Sequence, residues 1–111
     1  PALLAPPQDT AFEGADRVII LNWASVGILG EDEWYTVRVR RTGAVAQVLP
    51  VVWTKVTSWQ LPPELHIEGL TEPQRFHWQV QVTRQTGVDE DGDWLGEQIS
   101  PNGEVRTFTW K

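Results

Sequence analysis

The chain contains no cysteine and no methionine, only one tyrosine, and no apolar run long enough to cross a bilayer. Without cysteine there is no disulfide framework, no thiol nucleophile and no thiolate metal centre. This does not fix the redox compartment, because a domain of 111 residues can bury about two thirds of its unfolded surface and needs no cross-links. A membrane span takes about 18 consecutive apolar residues and a secretory leader has a basic-then-apolar order. Neither pattern occurs, so direct membrane insertion is not expected. Basic residues are also scarce, nine against 15 acids, giving a net charge of −6 and a pI near 4.7. A surface of that sign repels phosphate backbones and anionic lipid, which excludes nucleic acid as a partner. A cation or a basic protein suits it better. No Asn-X-Ser/Thr sequon occurs. A chain that opens on Pro1 and lacks methionine is expected to be one piece of a longer polypeptide, with neighbouring domains as its first partners.

No segment sustains a helical period. Alternation with a period of two recurs instead, in short runs broken by Gly, Pro, Asp and Ser, which is the pattern of half-buried strands. "PALLAPP" is too rich in proline for a helix; residues 1–8 read as a linker-like lead-in that becomes a first edge strand. "RVIILNWAS" puts Ile19, Leu21 and Trp23 on one face. "EWYTVRVRR" turns Tyr35, Val37 and Val39 inward, and Trp34, Thr36, Arg38 and Arg40 outward. "AVAQVLPVVW" is apolar but holds Pro50, which cannot donate to a ladder, so it belongs at an edge. "TSWQLPPEL" gives a short strand with Trp59 and Leu61. "RFHWQVQVT" sets Phe76, Trp78, Val80 and Val82 against His77, Gln79, Gln81 and Thr83, and "EVRTFTW" closes with Phe108 and Trp110. Seven such runs in one domain predict an all-β, seven-stranded antiparallel sandwich, two sheets around a shared core. A small barrel is the alternative closure, disfavoured by the unequal run lengths.

The order of these features resembles the fibronectin type III family over nearly the whole chain. The resemblance lies in "ILNW" with Trp23, "YTVRV" from Tyr35, "TSWQL" from Thr57, "LTEPQRFHWQVQV" with Leu70, Pro73 and Phe76, and the "SPNGE" bend before Phe108. It implies an immunoglobulin-like sandwich that serves as an extracytoplasmic module, bacterial in origin, within a multidomain protein. The family usually carries tyrosine where Phe76 stands. Its hydroxyl bond is lost, so the corner before this strand is expected to rest on packing of Leu70 and Pro73 alone. No Arg-Gly-Asp occurs, and integrin-type adhesion is not implied.

Acidic residues gather in "GEDE" (Glu31, Asp32, Glu33) and in "GVDEDGDWLGE" (Asp89, Glu90, Asp91, Asp93, Glu97). In an immunoglobulin-like sandwich the loops holding these stretches lie at one end, predicting an acidic pole. Asp89, Asp91 and Asp93 occupy positions one, three and five of an EF-hand-like loop, the alternation of oxygen ligands that calcium takes. Position six, which needs glycine, is Trp94, and position twelve, which needs glutamate, is Ser100. Asp91-Gly92 reads better as a type I′ hairpin turn with Val88 near Leu95.

Of seven tryptophans, Trp23, Trp59, Trp78 and Trp110 belong to predicted inner faces and core packing. Trp34, Trp53 and Trp94 fall on outer faces, an edge or a loop. They are candidate stacking platforms for a sugar ring, unless Arg38 or Arg40 covers Trp34 and Trp94 folds back over its hairpin. His66 and His77 stand far apart and show no zinc spacing. No nucleophile elbow, phosphate loop or dinucleotide fingerprint occurs. Carboxylate pairs such as Glu31 with Asp93 are available in any acidic protein. A sandwich this small seldom encloses a water-excluding pocket. No enzyme activity and no cofactor are therefore expected. The function read from the sequence is a spacer or protein–protein interaction module, with a carbohydrate-binding module as alternative. The candidate interaction surface is Trp34, Arg38, Arg40, His77, Gln79 and Gln81.

Overall fold

The computed structural model describes residues 1–111 and is all-β apart from one short 3-10 turn, Pro63–Leu65. The strands are β1 Leu3–Ala5, β2 Thr10–Phe12, β3 Ile20–Trp23, β4 Glu33–Thr42, β5 Gln47–Val48, β6 Val52–Thr54, β7 Ser58–Gln60, β8 Gln74–Val88, β9 Trp94–Gln98 and β10 Arg106–Trp110. They form a three-stranded sheet, β1-β3-β7, and a seven-stranded sheet running β2-β10-β8-β4-β5, in which β6 also pairs with β4 and β9 with β8.

Alternation dictates which faces meet. Ile19, Leu21 and Trp23 from the small sheet, and Tyr35, Val37, Val39, Phe76, Trp78, Val80, Val82, Phe108 and Trp110 from the large one, are buried in a single cluster. Trp23, Trp78 and Trp110 are each no more than 1% exposed. Truncating any of them to alanine costs about 3–5 kcal/mol, a large part of the roughly 5–15 kcal/mol that holds such a domain folded. Trp59 is half-buried against the same cluster.

Three departures from the sequence expectation have physical causes. The fourth run is two strands rather than one: Leu49 still donates to Val39 at 3.0 Å, but Pro50 has no N–H and the ladder resumes only at Val52. The sheets are not purely antiparallel. After Pro6 and Pro7 the chain leaves the small sheet, and β2 joins the large one parallel to β10, Thr10 opposite Phe108. A further strand forms outside the seven runs: β9 pairs with β8 along a different stretch from β10. The count is thus ten strands, not seven.

The corner before β8 is also built differently from expectation. Pro73 is exposed and Leu70 only half-buried. Two polar side chains hold this corner: Leu65 O accepts from Arg41 Nη1 at 2.9 Å and from Gln74 Nε2 at 2.8 Å, and Ile67 N donates to Gln74 Oε1 at 3.4 Å. Both residues are buried. They supply the tie that Phe76, with no hydroxyl, cannot.

Candidate functional site

The outer face of the large sheet carries the chemistry. Along β4 the outward positions are Trp34, Thr36, Arg38 and Arg40. Across the ladder on β8 stand Thr83, Gln81, Gln79 and His77 opposite them. At one end of this face lies an aromatic group. Trp94 meets Trp34 with ring centroids 5.0 Å apart and Trp53 at 5.5 Å, both at 67°. Beneath it, Thr36 and Thr83 share a hydrogen bond of 2.8 Å and are buried although they point away from the core. The hairpin β8–β9 thus curls back over the sheet and gives the outer face a small hydrophobic centre of its own.

Each tip residue has a defined part in that hairpin. Asp89 N donates to Asp93 O at 2.8 Å, and Gly92 N to Asp89 O at 3.2 Å. Gly92 has φ 87°, whereas Asp91 does not take positive φ. Two positive φ values are required for a type I′ turn, so the two-residue turn expected at Asp91-Gly92 does not form. A three-residue loop with a left-handed glycine replaces it, and Val88 pairs with Trp94 rather than lying near Leu95. Asp89 Oδ1 accepts from the amides of Asp91 and Asp93, both at 2.9 Å. Carboxylate oxygens of Asp89, Asp91 and Asp93 come within 4.8 Å of one another, all exposed. With one of those oxygens already capping the loop, the arrangement is accounted for by the turn itself.

The two acidic stretches have different neighbours. Lys55 Nζ donates to the carbonyls of Gly30, Glu31 and Glu33, and Arg84 lies 3.6 Å from Asp32 and 3.7 Å from Glu33. Gly92 and Asp93 at the tip face Pro50 and Val51 instead. Within the sequence-predicted pole of Glu31, Asp32, Glu33, Asp89, Glu90, Asp91 and Asp93, the stretch Glu31–Glu33 is thus tied to two cations.

The predicted interaction surface is partly assembled. Arg38, Arg40, His77 and Gln79 line one cavity of about 240 Å³, walled by Val48, Val51 and Val105. Gln81 is buried; its Oε1 accepts from Arg38 Nε at 3.4 Å and its Nε2 donates to Asn102 Oδ1 at 3.3 Å. Trp34 is covered, by Trp94 and by Lys55 Nζ at 4.3 Å from its ring centroid. The covering cation is thus an ammonium, not the guanidinium of Arg38 or Arg40 that the strand pattern suggests. His66 lies apart from this face, its ring 5.0 Å from that of Trp110.

A second, wider notch of about 570 Å³ is lined by Pro50, Val51, Trp53, Gly92, Asp93 and Trp94. The two cavities meet at Val51. Together they form a groove, aromatic at one end and cationic at the other. Burial lowers the pKa of His77 below 6.5, and the nearby charges of Arg40 and Arg75 lower it further. No ion pair reaches Arg38 or Arg40; the three present belong to Arg84 and Arg106. The strand pattern places Arg38, Arg40, His77 and Gln79 on one face. It cannot place Trp53, Trp94, Val51 or Val105, which arrive from an edge, a folded-back hairpin and a loop. The only sequence signal for Trp53 and Trp94 is that neither fits an inner face.

Three indoles inclined at 67° do not make the flat stacking platform of the carbohydrate alternative. No family model matches the chain, and no curated protein or solved structure does so either.

Proposed function

We propose that this chain is a non-catalytic fibronectin type III-like module of a larger, extracytoplasmic protein, and that the outer face of its large sheet recognises a protein partner. The partition of strands supports the module reading. The first, second and fifth runs form one sheet, and the third, sixth and seventh form the other, joined there by the fourth, as in immunoglobulin-like sandwiches. The observation that carries the recognition reading is the groove, where Arg38 and Arg40 stand without carboxylate partners beside the Trp53–Trp94 notch. Arginine and tryptophan are the residues that dominate interface energetics, and a groove bordered by an edge strand accepts an extended segment. Thr42 Oγ1 lies 3.1 Å from His77 Nε2, but no carboxylate orients that ring as a base, so binding rather than turnover is the chemistry this face favours.

The test is selection of a random dodecapeptide display library on the intact protein. Enriched clones should lose binding to an Arg38→Glu, Arg40→Glu variant that melts at the same temperature as the parent. They should keep binding to Arg17→Glu, which alters charge elsewhere. Clones that bind the double variant as well as the parent would remove this face from consideration.

A further inference from the structure

We propose that the groove takes an extended peptide bearing two carboxylates at alternate positions, with an apolar side chain two positions away on the same face. This rests on the recognition reading above and adds the chemistry of the ligand. Thr36, Arg38 and Arg40 are successive outward positions of β4, spaced about 7 Å apart. Side chains at alternate positions of any extended peptide have the same spacing. Trp53 stands opposite Thr36 across the β4–β6 ladder and Trp94 closes on it at 5.5 Å. Read along β4, the receptor therefore presents an apolar notch, then a guanidinium, then a second guanidinium.

Charge points the same way. On a chain of net charge −6, Arg38 and Arg40 form a local inversion with no ion pair of their own. An arginine facing a carboxylate can form two parallel N–H···O bonds, stronger than neutral ones. The net negative charge repels acidic peptides over long range, so one that binds gains most where the local field is reversed. Shape agrees: Val51 lines both the cationic cavity and the aromatic notch, so the two lie side by side on this face.

The experiment titrates the intact protein with three synthetic peptides, followed by calorimetry and tryptophan emission. They are acetyl-Gly-Leu-Ser-Glu-Ser-Glu-Gly-amide, its reversed sequence, and the isomer acetyl-Gly-Leu-Ser-Glu-Glu-Ser-Gly-amide, whose acids are adjacent. One of the two alternating peptides should bind at least about tenfold more tightly than the isomer, the equivalent of about 1.4 kcal/mol. Its affinity should fall with added salt, and Arg38→Gln with Arg40→Gln should abolish it while leaving the melting temperature in place. Trp94→Ala should weaken it and shift the emission response. Equal binding of the isomer, binding that survives in the arginine variant, or no binding by any of the three would overturn the proposal. In the last case, library clones that still map to the groove would leave the recognition face standing without this ligand; clones that map elsewhere would remove both.

Discussion

Arg40 and Arg41 are neighbours in sequence with opposite fates, because successive side chains of a strand point to opposite faces. Arg40 stands on the outer face, whereas Arg41 points inward and is 6% exposed. Its guanidinium donates to Val45 O at 2.6 Å, Leu65 O at 2.9 Å and Gln47 Oε1 at 2.8 Å, and lies 5.9 Å from the Phe76 ring centroid. Every bond is charge-assisted and the acceptors are neutral, so the cation is solvated by the protein. Arg41→Met keeps most of the volume but leaves these acceptors short of donors. A loss of about 2–4 kcal/mol is expected in urea unfolding, against less than about 0.5 kcal/mol for Arg40→Met. Equal losses would mean that Arg41 is not the brace of this corner.

His77 gives a second prediction at this scale. Burial disfavours its charged form, and Arg40 and Arg75 add repulsion, so its folded pKa lies below 6.5. The unfolded chain binds that proton more tightly. His77 therefore contributes stability that is complete above its unfolded pKa, about 6.5, and is lost as the pH falls through the folded value. An NMR titration of the His77 ring should give a midpoint below 6.5, and Arg40→Gln should raise it only in part, because burial is the larger cause. A midpoint at or above 6.5 in the parent would contradict the environment described.

At the scale of elements, the hairpin β8–β9 is the part that packing, more than pattern, determines. A Cβ at Gly96 would sit 2.5 Å from Thr83 Cγ2, 2.6 Å from Trp53 Cη2 and 2.9 Å from Arg84 O. Glycine is needed here so that Trp53 can lie across the strand. Gly96→Ala must push the hairpin off the sheet, at about 1–3 kcal/mol, lowering the melting temperature by roughly 5 °C or more. Its near-ultraviolet dichroism should also change, as the 67° contacts of Trp94 are lost. An unaltered spectrum would show that the curl is not held this way. Asp89→Ala acts on the same element from its tip by removing the acceptor for Asp91 N and Asp93 N. It should speed amide exchange at those two positions and leave β4 untouched.

The core strands are legible in the sequence alone. Phe76, Trp78, Val80 and Val82 alternate in β8, as do Tyr35, Val37 and Val39 in β4, because a strand buried on one face admits no other register. What is illegible depends on partners distant in sequence. The parallel pairing of Thr10 with Phe108 leaves no local mark. Burial of Thr36 and Gln81 on an outward face arises from what folds over them. Half of the groove is readable for the same reason as the core. Arg38, Arg40, His77 and Gln79 follow from alternation, while the Trp53–Trp94 notch follows from a hairpin whose turn is one residue longer than the Asp-Gly signal implies.

For the whole molecule, the two hydrophobic centres differ in rank. The inner one gathers side chains from both sheets and every long strand, so losing any part exposes all of it. The outer one is closed only by the far end of the hairpin, where β9 has all five residues exposed and Trp94 is 39% exposed. Segments with few buried contacts open at lower free energy than the global transition. The amides of β9 and their partners on β8, Thr83 to Val88, should therefore exchange by a local opening that carries the Trp53–Trp94 notch with it, while those of Val37 and Val80 should exchange only on global unfolding. Native-state hydrogen exchange in rising urea separates the two, since a local opening exposes little surface and its free energy scarcely depends on denaturant. Binding in the groove should then slow exchange in β9 selectively, because a ligand gripping that notch must hold the hairpin closed. If β9 and Val37 share one urea dependence, the hairpin is part of the global unit. The groove would then be a rigid trough and not one that a ligand helps to close.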